Sequence, residues 1–168
     1  KDLMELKNGI KFSPLFIENK LKFCPYIVEA VVVGHNKDFI GCIVCIDFKH
    51  VGKWAEDHNI PYTTYSDLAS RKETYQLIET EIYKVNKTLP TEMKVFKFLL
   101  LYKELDPDDE ELTRTRKVRR GFINEKYAKE IEALYNEIEI LPVETKITYQ
   151  DGRTATIKTD LSIYTMRD

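Results

Sequence analysis

The chain has 168 residues, 43% of them hydrophobic and 32% charged, and a formal net charge of −2. This length suffices for one domain that buries roughly two-thirds of its unfolded surface. The near-neutral charge argues against a dedicated nucleic-acid-binding domain, which usually has a global basic excess. The longest purely apolar runs, such as 98–102, are far shorter than the roughly 20 residues of a membrane-spanning helix. No signal peptide is recognisable, and a start at Lys1 without methionine suggests a processed or excised fragment.

Turn residues and hydrophobic periodicity divide the chain into strands and helices. Asn8-Gly9 and Asp151-Gly152 favour hairpin turns, because such residues accept positive φ angles. Ser13-Pro14 is typical of a helix start. In chain order, the predicted elements are two short strands within 1–13, a helix from Ser13 to about Phe23, paired strands at 27–33 and 39–48, helices at 50–59 and 66–89, a strand at 95–102, a helix from about Arg119 to Asn136, and a terminal hairpin that alternates at Thr145, Ile147 and Tyr149 and again at Ala155, Ile157 and Leu161.

The cysteines and histidines do not form a metal or redox pattern. Cys42 and Cys45 lie in an apolar run that predicts a buried strand, where residues three apart point to opposite faces. No second CxxC or suitably spaced histidine pair accompanies them. We therefore interpret the thiols as reduced core residues, predict no metal site, and expect each histidine to be hydrogen-bonded or solvated.

A reversal of charge within 106–120 is the most unusual local feature. Five acidic residues are followed by five basic ones, Arg114, Arg116, Lys117, Arg119 and Arg120. The acidic half contains Asp-Pro-Asp-Asp, which predicts a surface turn, and so dense a run of charge is not expected to enter a core. Residue types alone leave three alternatives for the basic half: a solvated arm, a phosphate-binding patch for nucleic acid, or an arm that delivers one ammonium group to a neighbouring catalytic site.

The order of motifs distinguishes among these alternatives. Residues 112–120, Leu-Thr-Arg-Thr-Arg-Lys-Val-Arg-Arg, resemble the terminal catalytic-lysine motif of AMP-forming acyl-CoA synthetases, particularly the long-chain fatty-acid branch. The opening residues 1–9 resemble the hinge motif of that family, entered partway through, and residues 13–19 and 29–34 resemble the helix and strand that follow. The resemblance covers about residues 1–137.

The resemblance implies an α+β lid domain. We expect a small mixed β-sheet packed with helices, an N-terminal hinge hairpin, a projecting catalytic hairpin and a C-terminal β-hairpin. Residues 1–137 would be the mobile C-terminal domain, and residues 138–168 a hairpin extension of it. Members of the family join a carboxylic acid to ATP to give acyl-adenylate, then rotate this domain so that coenzyme A attacks the adenylate. The implied ligands are therefore a fatty acid, ATP, coenzyme A and Mg, bound mainly by an upstream adenylation domain of the same polypeptide.

The resemblance also assigns roles to individual residues. Lys117 matches the catalytic lysine of adenylation, and Lys1 and Asp2 match the hinge. Lys7, Asn8 and Gly9 match the segment that lines the path of coenzyme A, where glycine permits close approach. Arg114 and Arg116 are candidates for nucleotide or phosphate binding. Many relatives have Ser-Gly before the lysine where this chain has Thr115-Arg116, so flexibility is not expected there.

The resemblance implies no nucleic-acid partner and a cytoplasmic location, with peripheral membrane association as an alternative. This fragment alone is expected to be inactive, because nothing in it resembles an ATP-binding loop or an acyl pocket. The rival hypothesis is a stand-alone module that binds nucleic acid or protein through the basic arm 114–120.

Overall fold

A computed structural model of the chain describes residues 3–148 and 151–167. The core is a four-stranded sheet of order β3-β4-β5-β8, in which β4 and β5 are parallel and the other neighbours antiparallel. Two separate hairpins, β1-β2 and β6-β7, flank it. The elements are β1 (Met4–Glu5), β2 (Lys11–Phe12), α1 (Pro14–Lys22), β3 (Ile27–Val33), β4 (Ile40–Ile46), α2 (Phe48–Asp57), α3 (Tyr65–Ser70), α4 (Lys72–Asn86), β5 (Val95–Leu100), α5 (Arg120–Lys126), α6 (Ala128–Tyr135), β6 (Ile140–Thr148), β7 (Thr154–Ser162) and β8 (Tyr164–Thr165). This is the α+β fold predicted above.

The central sheet is covered on both faces. Alternate residues of β4 belong to two different apolar clusters, Cys42 to the one beneath α1 and α4, and Cys45 to the one beneath α5, α6 and the terminal hairpin. Every residue of β4 is buried. Its continuous apolar sequence is explained by this arrangement, because a strand between two layers needs no polar face.

The first two helices each begin with a side-chain cap, at or close to the start that the sequence predicts. The Ser13 hydroxyl accepts a hydrogen bond of 3.1 Å from the Phe16 amide at the start of α1. The Asp47 carboxylate accepts one of 2.9 Å from the His50 amide, so α2 begins at Phe48 and the preceding strand ends at Ile46. Each cap satisfies an amide that has no partner within its helix.

Two predicted helices are each divided in the structure. The helix predicted over 66–89 is α3 and α4, separated by Arg71, whose backbone is extended. The helix predicted from Arg119 to Asn136 is α5 and α6, separated at Tyr127, where φ is −108° and ψ is 30°. Tyr127 is buried and its hydroxyl binds the Glu111 carboxylate, a long-range contact that local periodicity does not reveal.

The terminal hairpin is longer than predicted and its chain returns to the central sheet. β6 and β7 pair from Ile140 opposite Ser162 to Thr148 opposite Thr154, and one face of each strand is half-buried. After β7, the short strand β8 pairs with β5. The predicted turn at Gly152 has a φ of +87°, whereas Tyr149 lies outside the described residues.

Over the ranges 3–148 and 151–167, no helix combines the length and apolar character needed to span a bilayer.

Asn86 joins the end of α4 to the start of β5. Its side-chain amide donates to the Val95 carbonyl at 2.9 Å, and its oxygen accepts from the Val95 amide at 2.9 Å. We expect Asn86→Leu to lower the free energy of unfolding by about 2–4 kcal/mol, because it leaves two buried backbone groups unpaired. Urea unfolding of the chain measures this. The matched control is Asn19→Leu at an exposed position of α1; an equal loss in both variants would contradict the assignment.

Candidate functional site

The N-terminal hairpin forms the predicted turn and exposes its tip. The Leu6 amide donates to the Ile10 carbonyl at 2.8 Å, and Gly9 has a φ of +92° that favours glycine. The Asn8 side chain accepts a hydrogen bond of 3.0 Å from the Ile10 amide, which fixes the turn. Lys7, Asn8 and Gly9 are all exposed. The predicted hinge residues Lys1 and Asp2 lie outside the described residues.

This hairpin is attached to the loop that follows β3. The Lys7 amide donates to the Lys37 carbonyl and the Asn36 amide donates to the Glu5 carbonyl, both at 2.8 Å. The Glu5 amide also donates to Nδ1 of His35 at 3.2 Å. The tip is therefore held by its backbone while its side chains face solvent.

Residues 112–118, which we call the lysine ribbon, form a tight hairpin. Leu112 and Val118 pair as an antiparallel bridge, and the Thr113 amide donates to the Lys117 carbonyl at 2.8 Å. The Thr113 hydroxyl accepts a hydrogen bond of 3.0 Å from the Lys117 amide. Arg116, at the turn, has a φ of +65°.

Lys117 combines a fixed backbone with an exposed side chain. Both its amide and its carbonyl are bonded to Thr113. The side chain is exposed, and over the described ranges 3–148 and 151–167 the ammonium forms no ion pair. The group is therefore available to a ligand from outside this chain.

The expectation that the charged segment stays out of the core is wrong. Glu111 and Leu112 have relative exposures of only 0% and 2%. The Glu111 carboxylate is able to enter because it accepts hydrogen bonds from Lys103, from Lys126 at 2.7 Å and from the Tyr127 hydroxyl. It also accepts one of 3.0 Å from the Asp106 amide. We call Glu111 with Lys103, Lys126 and Tyr127 the carboxylate seat.

The pKa of Glu111 reports on this environment. Burial acts to raise it, but the hydrogen bonds from Lys103, Lys126 and Tyr127 outweigh burial and hold the pKa below its ordinary value. The carboxylate is thus ionised at neutral pH and neutralised by two ammonium groups. The surrounding acidic residues behave as predicted, forming an exposed or half-exposed turn over Pro107–Asp109.

Arg120 fixes the far end of the ribbon to α1. Its guanidinium donates two hydrogen bonds, of 2.7 and 2.6 Å, to the buried carboxylate of Glu18. Glu18 also accepts one of 2.8 Å from the Val32 amide on the outer edge of β3. The neighbouring Arg119 is exposed, and its guanidinium donates to the Glu110 carbonyl at 3.0 Å and pairs with the exposed Glu110 carboxylate at 3.4 Å. Arg120, to which the sequence assigned no role, therefore has a structural one.

Arg114 and Arg116, the predicted phosphate-binding residues, are both exposed on the ribbon. Burial raises the pKa values of Glu29 and Glu104, and the positive charge of Arg116 acts against that rise at both carboxyls. Arg116 therefore lies close enough to these two groups to partly balance their charge.

The two predicted site segments lie at opposite ends of β3. Arg116 acts on Glu29 at the start of that strand, whereas the N-terminal hairpin is bound to residues 35–37 just beyond its end. The four residue steps from Glu29 to Val33 span roughly 13 Å at 3.3 Å per residue. The structure thus does not bring Lys117 and the Lys7–Gly9 segment together into one site.

Cys42 and Cys45 lie in the buried strand predicted for them, and His50 and His58 make local hydrogen bonds. Cys42 and Cys45 are free and buried on opposite faces of β4, and burial raises the pKa of each. The ring of His58 contacts the Trp54 carbonyl at 2.8 Å, and that of His50 contacts Asp47 at 3.0 Å. Among the residues the structure describes, no group of three or more His, Cys, Asp or Glu side chains is arranged to hold a metal ion.

Sequence comparisons identify the family. The family described as AMP-binding enzyme C-terminal domain matches residues 1–139. The chain belongs to this family.

Similar proteins include the long-chain-fatty-acid–CoA ligase FadD15 of Mycobacterium tuberculosis, 31% identical over 138 residues, which are 82% of this chain and 23% of that protein. The long-chain-fatty-acid–CoA ligase ACSBG2 of Gallus gallus is 28% identical over 153 residues, covering 80% of this chain and 20% of that protein. The chain therefore spans less than a quarter of the length of either ligase.

Solved structures support the fold. The adenylation domain of a carboxylate reductase from Mycobacterium chelonae matches 81% of this chain over 20% of its own, with a TM-score of 0.64 and 18% identity. The A-PCP didomain of carboxylic acid reductase from Segniliparus rugosus, in complex with AMP, also gives 0.64, with 14% identity over 80% of this chain and 17% of its own. The fold is that of the C-terminal domain of adenylate-forming enzymes.

The residues that hold the ribbon were not predicted from the sequence. Nothing local separates the buried Glu111 from the exposed Glu110, or marks Glu18 as the partner of an arginine 102 residues away. The sequence does contain a usable signal at Glu29, because a single charged residue within an apolar strand indicates a buried carboxylate.

Arg120 and Arg119 provide a matched pair of variants. We expect Arg120→Ala to lower the free energy of unfolding by about 2–4 kcal/mol, because it leaves the buried Glu18 charge without its bidentate partner. Arg119→Ala should cost less than about 1 kcal/mol, as an exposed ion pair does. Urea unfolding measures both. Similar values for the two variants would show that the Glu18 contact does not hold the ribbon.

Proposed function

We propose that this chain is the mobile C-terminal domain of an AMP-forming long-chain-fatty-acid–CoA ligase. Such an enzyme activates a fatty acid with ATP to acyl-AMP and then transfers the acyl group to coenzyme A. The names of the two similar ligases support the substrate class, and the lysine ribbon supports the reaction type. Residues 1–137 form the mobile domain in this proposal, and residues 138–168 are its hairpin extension.

The single observation that carries the proposal is the geometry of Lys117. Its backbone is bonded on both sides to Thr113, and its side chain is exposed. An ammonium about 4 Å from a unit negative charge contributes roughly 4 kcal/mol at an effective dielectric near 20. Placed against the carboxylate and α-phosphate that react during adenylation, Lys117 would stabilise the negative charge that develops there. Its role is electrostatic, with no proton transfer.

The separation of the two site segments supports a two-orientation cycle. Because Arg116 acts on Glu29 near the start of β3 and the Lys7–Gly9 tip is bound just beyond its end, the two segments would serve one reaction centre only in turn. The domain would rotate about Lys1 and Asp2 between the half-reactions. In the second orientation the backbone of Lys7, Asn8 and Gly9 would line the path of coenzyme A.

The remaining ligands are assigned by chemistry. ATP, coenzyme A and Mg would be bound mainly by the upstream adenylation domain, so the isolated chain is expected to be inactive. Arg114 and Arg116 face solvent on the ribbon and would approach the phosphates of a bound nucleotide. A cytoplasmic location, with peripheral membrane association as its alternative, stays a prediction.

Lys117→Ala in the full-length ligase tests the proposed catalytic role. We expect adenylation to fall by about 10²–10³-fold, the usual cost of removing one such electrostatic donor. Thioester formation from supplied acyl-adenylate should be largely spared. Pyrophosphate release and acyl-CoA formation measure the two half-reactions separately, with Lys129→Ala on the exposed surface of α6 as the control. Equal loss in both half-reactions would exclude this division of roles.

Gly9→Ala tests the proposed coenzyme A segment. The φ of +92° strains any other residue at this position, although the added Cβ would have only Glu5 within 4 Å. We expect slower thioester formation and a higher KM for coenzyme A, with adenylation nearly unchanged. Gly152→Ala is the matched control, because its φ of +87° produces similar strain on the terminal hairpin. If both variants slow thioester formation equally, the effect is general destabilisation and the assignment of Gly9 is wrong.

A further inference from the structure

The carboxylate seat adjoins the lysine ribbon directly. Glu111 immediately precedes Leu112, the first residue of the ribbon, and both are buried. The Glu111 carbonyl accepts a hydrogen bond of 3.0 Å from the Arg119 amide just after the ribbon. Glu111 therefore binds the residue that follows the ribbon through its backbone, and it binds the domain core through its side chain.

The seat is also connected to the terminal hairpin. The rings of Tyr102 and Tyr127 lie 6.5 Å apart, and both residues belong to the apolar cluster against which the hairpin packs. The hairpin lies beyond the segment that matches the family. Apolar residues of the hairpin, including Leu161, belong to the same cluster as Leu112. A continuous set of contacts thus runs from the hairpin through two tyrosines to Glu111.

The buried and paired charges of the carboxylate seat favour a rigid structure. Glu111 is fully buried, and the side chain of Lys103 is only 13% exposed. A buried carboxylate bound by two ammonium groups and a phenol has little freedom to move, since each displacement would leave a buried charge without its partner. Leu112 is thereby held in one position, and through the bridge to Val118 so is the strand that carries Lys117.

We propose that Glu111 and Tyr127 are positioning residues for Lys117, and that the terminal hairpin supports them through the apolar cluster that contains Tyr102, Leu112 and Leu161. This rests on the proposed role of Lys117 in adenylation. The seat itself does not touch substrate. Its function is to keep the ribbon rigid, so that the ammonium is already aligned when the domain docks for the first half-reaction. Thioester formation, which presents the opposite end of β3, does not depend on it.

Tyr127→Phe in the full-length ligase is the primary test. It removes one hydrogen bond to Glu111 while keeping the ring and both ammonium partners. We expect the kcat of adenylation to fall about 10-fold or more, because small displacements of a catalytic group are costly. The KM for ATP and the rate of thioester formation should change less than about two-fold, since the loss is confined to one transition state.

A second measurement follows the ribbon without using activity. Hydrogen exchange of the Thr113 and Arg119 amides reports opening of the ribbon, because their acceptors are the carbonyls of Lys117 and Glu111. We expect both amides to exchange faster in Tyr127→Phe. Glu130→Gln is the matched control. Glu130 is a buried carboxylate on α6 that also acts on the pKa of Tyr102, but it lies outside the seat. It should leave both exchange and adenylation unchanged.

The outcomes separate this inference from the proposed function. Faster exchange with a selective loss of adenylation supports the positioning role. Unchanged exchange in Tyr127→Phe overturns it, and so does an equal loss in both half-reactions or the same effects in Glu130→Gln. Failure of the proposed function is detected independently, by normal adenylation in Lys117→Ala. Faster exchange together with that result would leave Tyr127 as a support of the ribbon and overturn its proposed role in adenylation.

Discussion

The burial of the central sheet on both faces is the constraint from which the other features follow. Because β4 has no face toward solvent, helices and hairpins must cover both sides, and a charged group placed in the interior is costly unless it is paired. Two carboxylates meet this condition near the edge of the sheet. Glu18 is bound by Arg120 and the Val32 amide, and Glu111 by the carboxylate seat. Both contacts hold the segment that carries the ribbon.

These contacts divide the basic run into residues with different roles. Arg120 is committed to Glu18, and Arg119 contacts Glu110 and lies over the ring of Phe122, 5.7 Å from its centre. Arg116 partly balances the charges of the buried Glu29 and the half-buried Glu104. Lys117, like Arg114 and Arg116, forms no ion pair with any residue in 3–148 or 151–167. Part of this dense run of charge therefore anchors the segment, and the rest is exposed.

Local chemistry made much of the fold predictable. The Ser13 cap, the Asn8-Gly9 turn and the apolar run of β4 each act within a few residues, so sequence patterns place them correctly. The division of the last helix at Tyr127 was missed, since it accompanies burial of a side chain against Glu111, sixteen residues away. Helical periodicity describes which face is buried and contains no information about such a partner.

The candidate site shows the same difference between local features, which sequence patterns predict, and long-range contacts, which they do not. The nine-residue motif, together with the hinge-like motif upstream of it, singled out Lys117 as a candidate, because the ribbon's exposed end is encoded by contiguous residues. The residues that support the ribbon were not predicted, since charge in a sequence normally indicates solvent exposure. Glu111 is an exception only because Lys103 and Lys126, distant in sequence, converge on it. The role proposed for Lys117, meeting a reacting phosphate without rearrangement, requires a rigid strand, and buried charge that is fully paired provides a rigid support next to the ribbon.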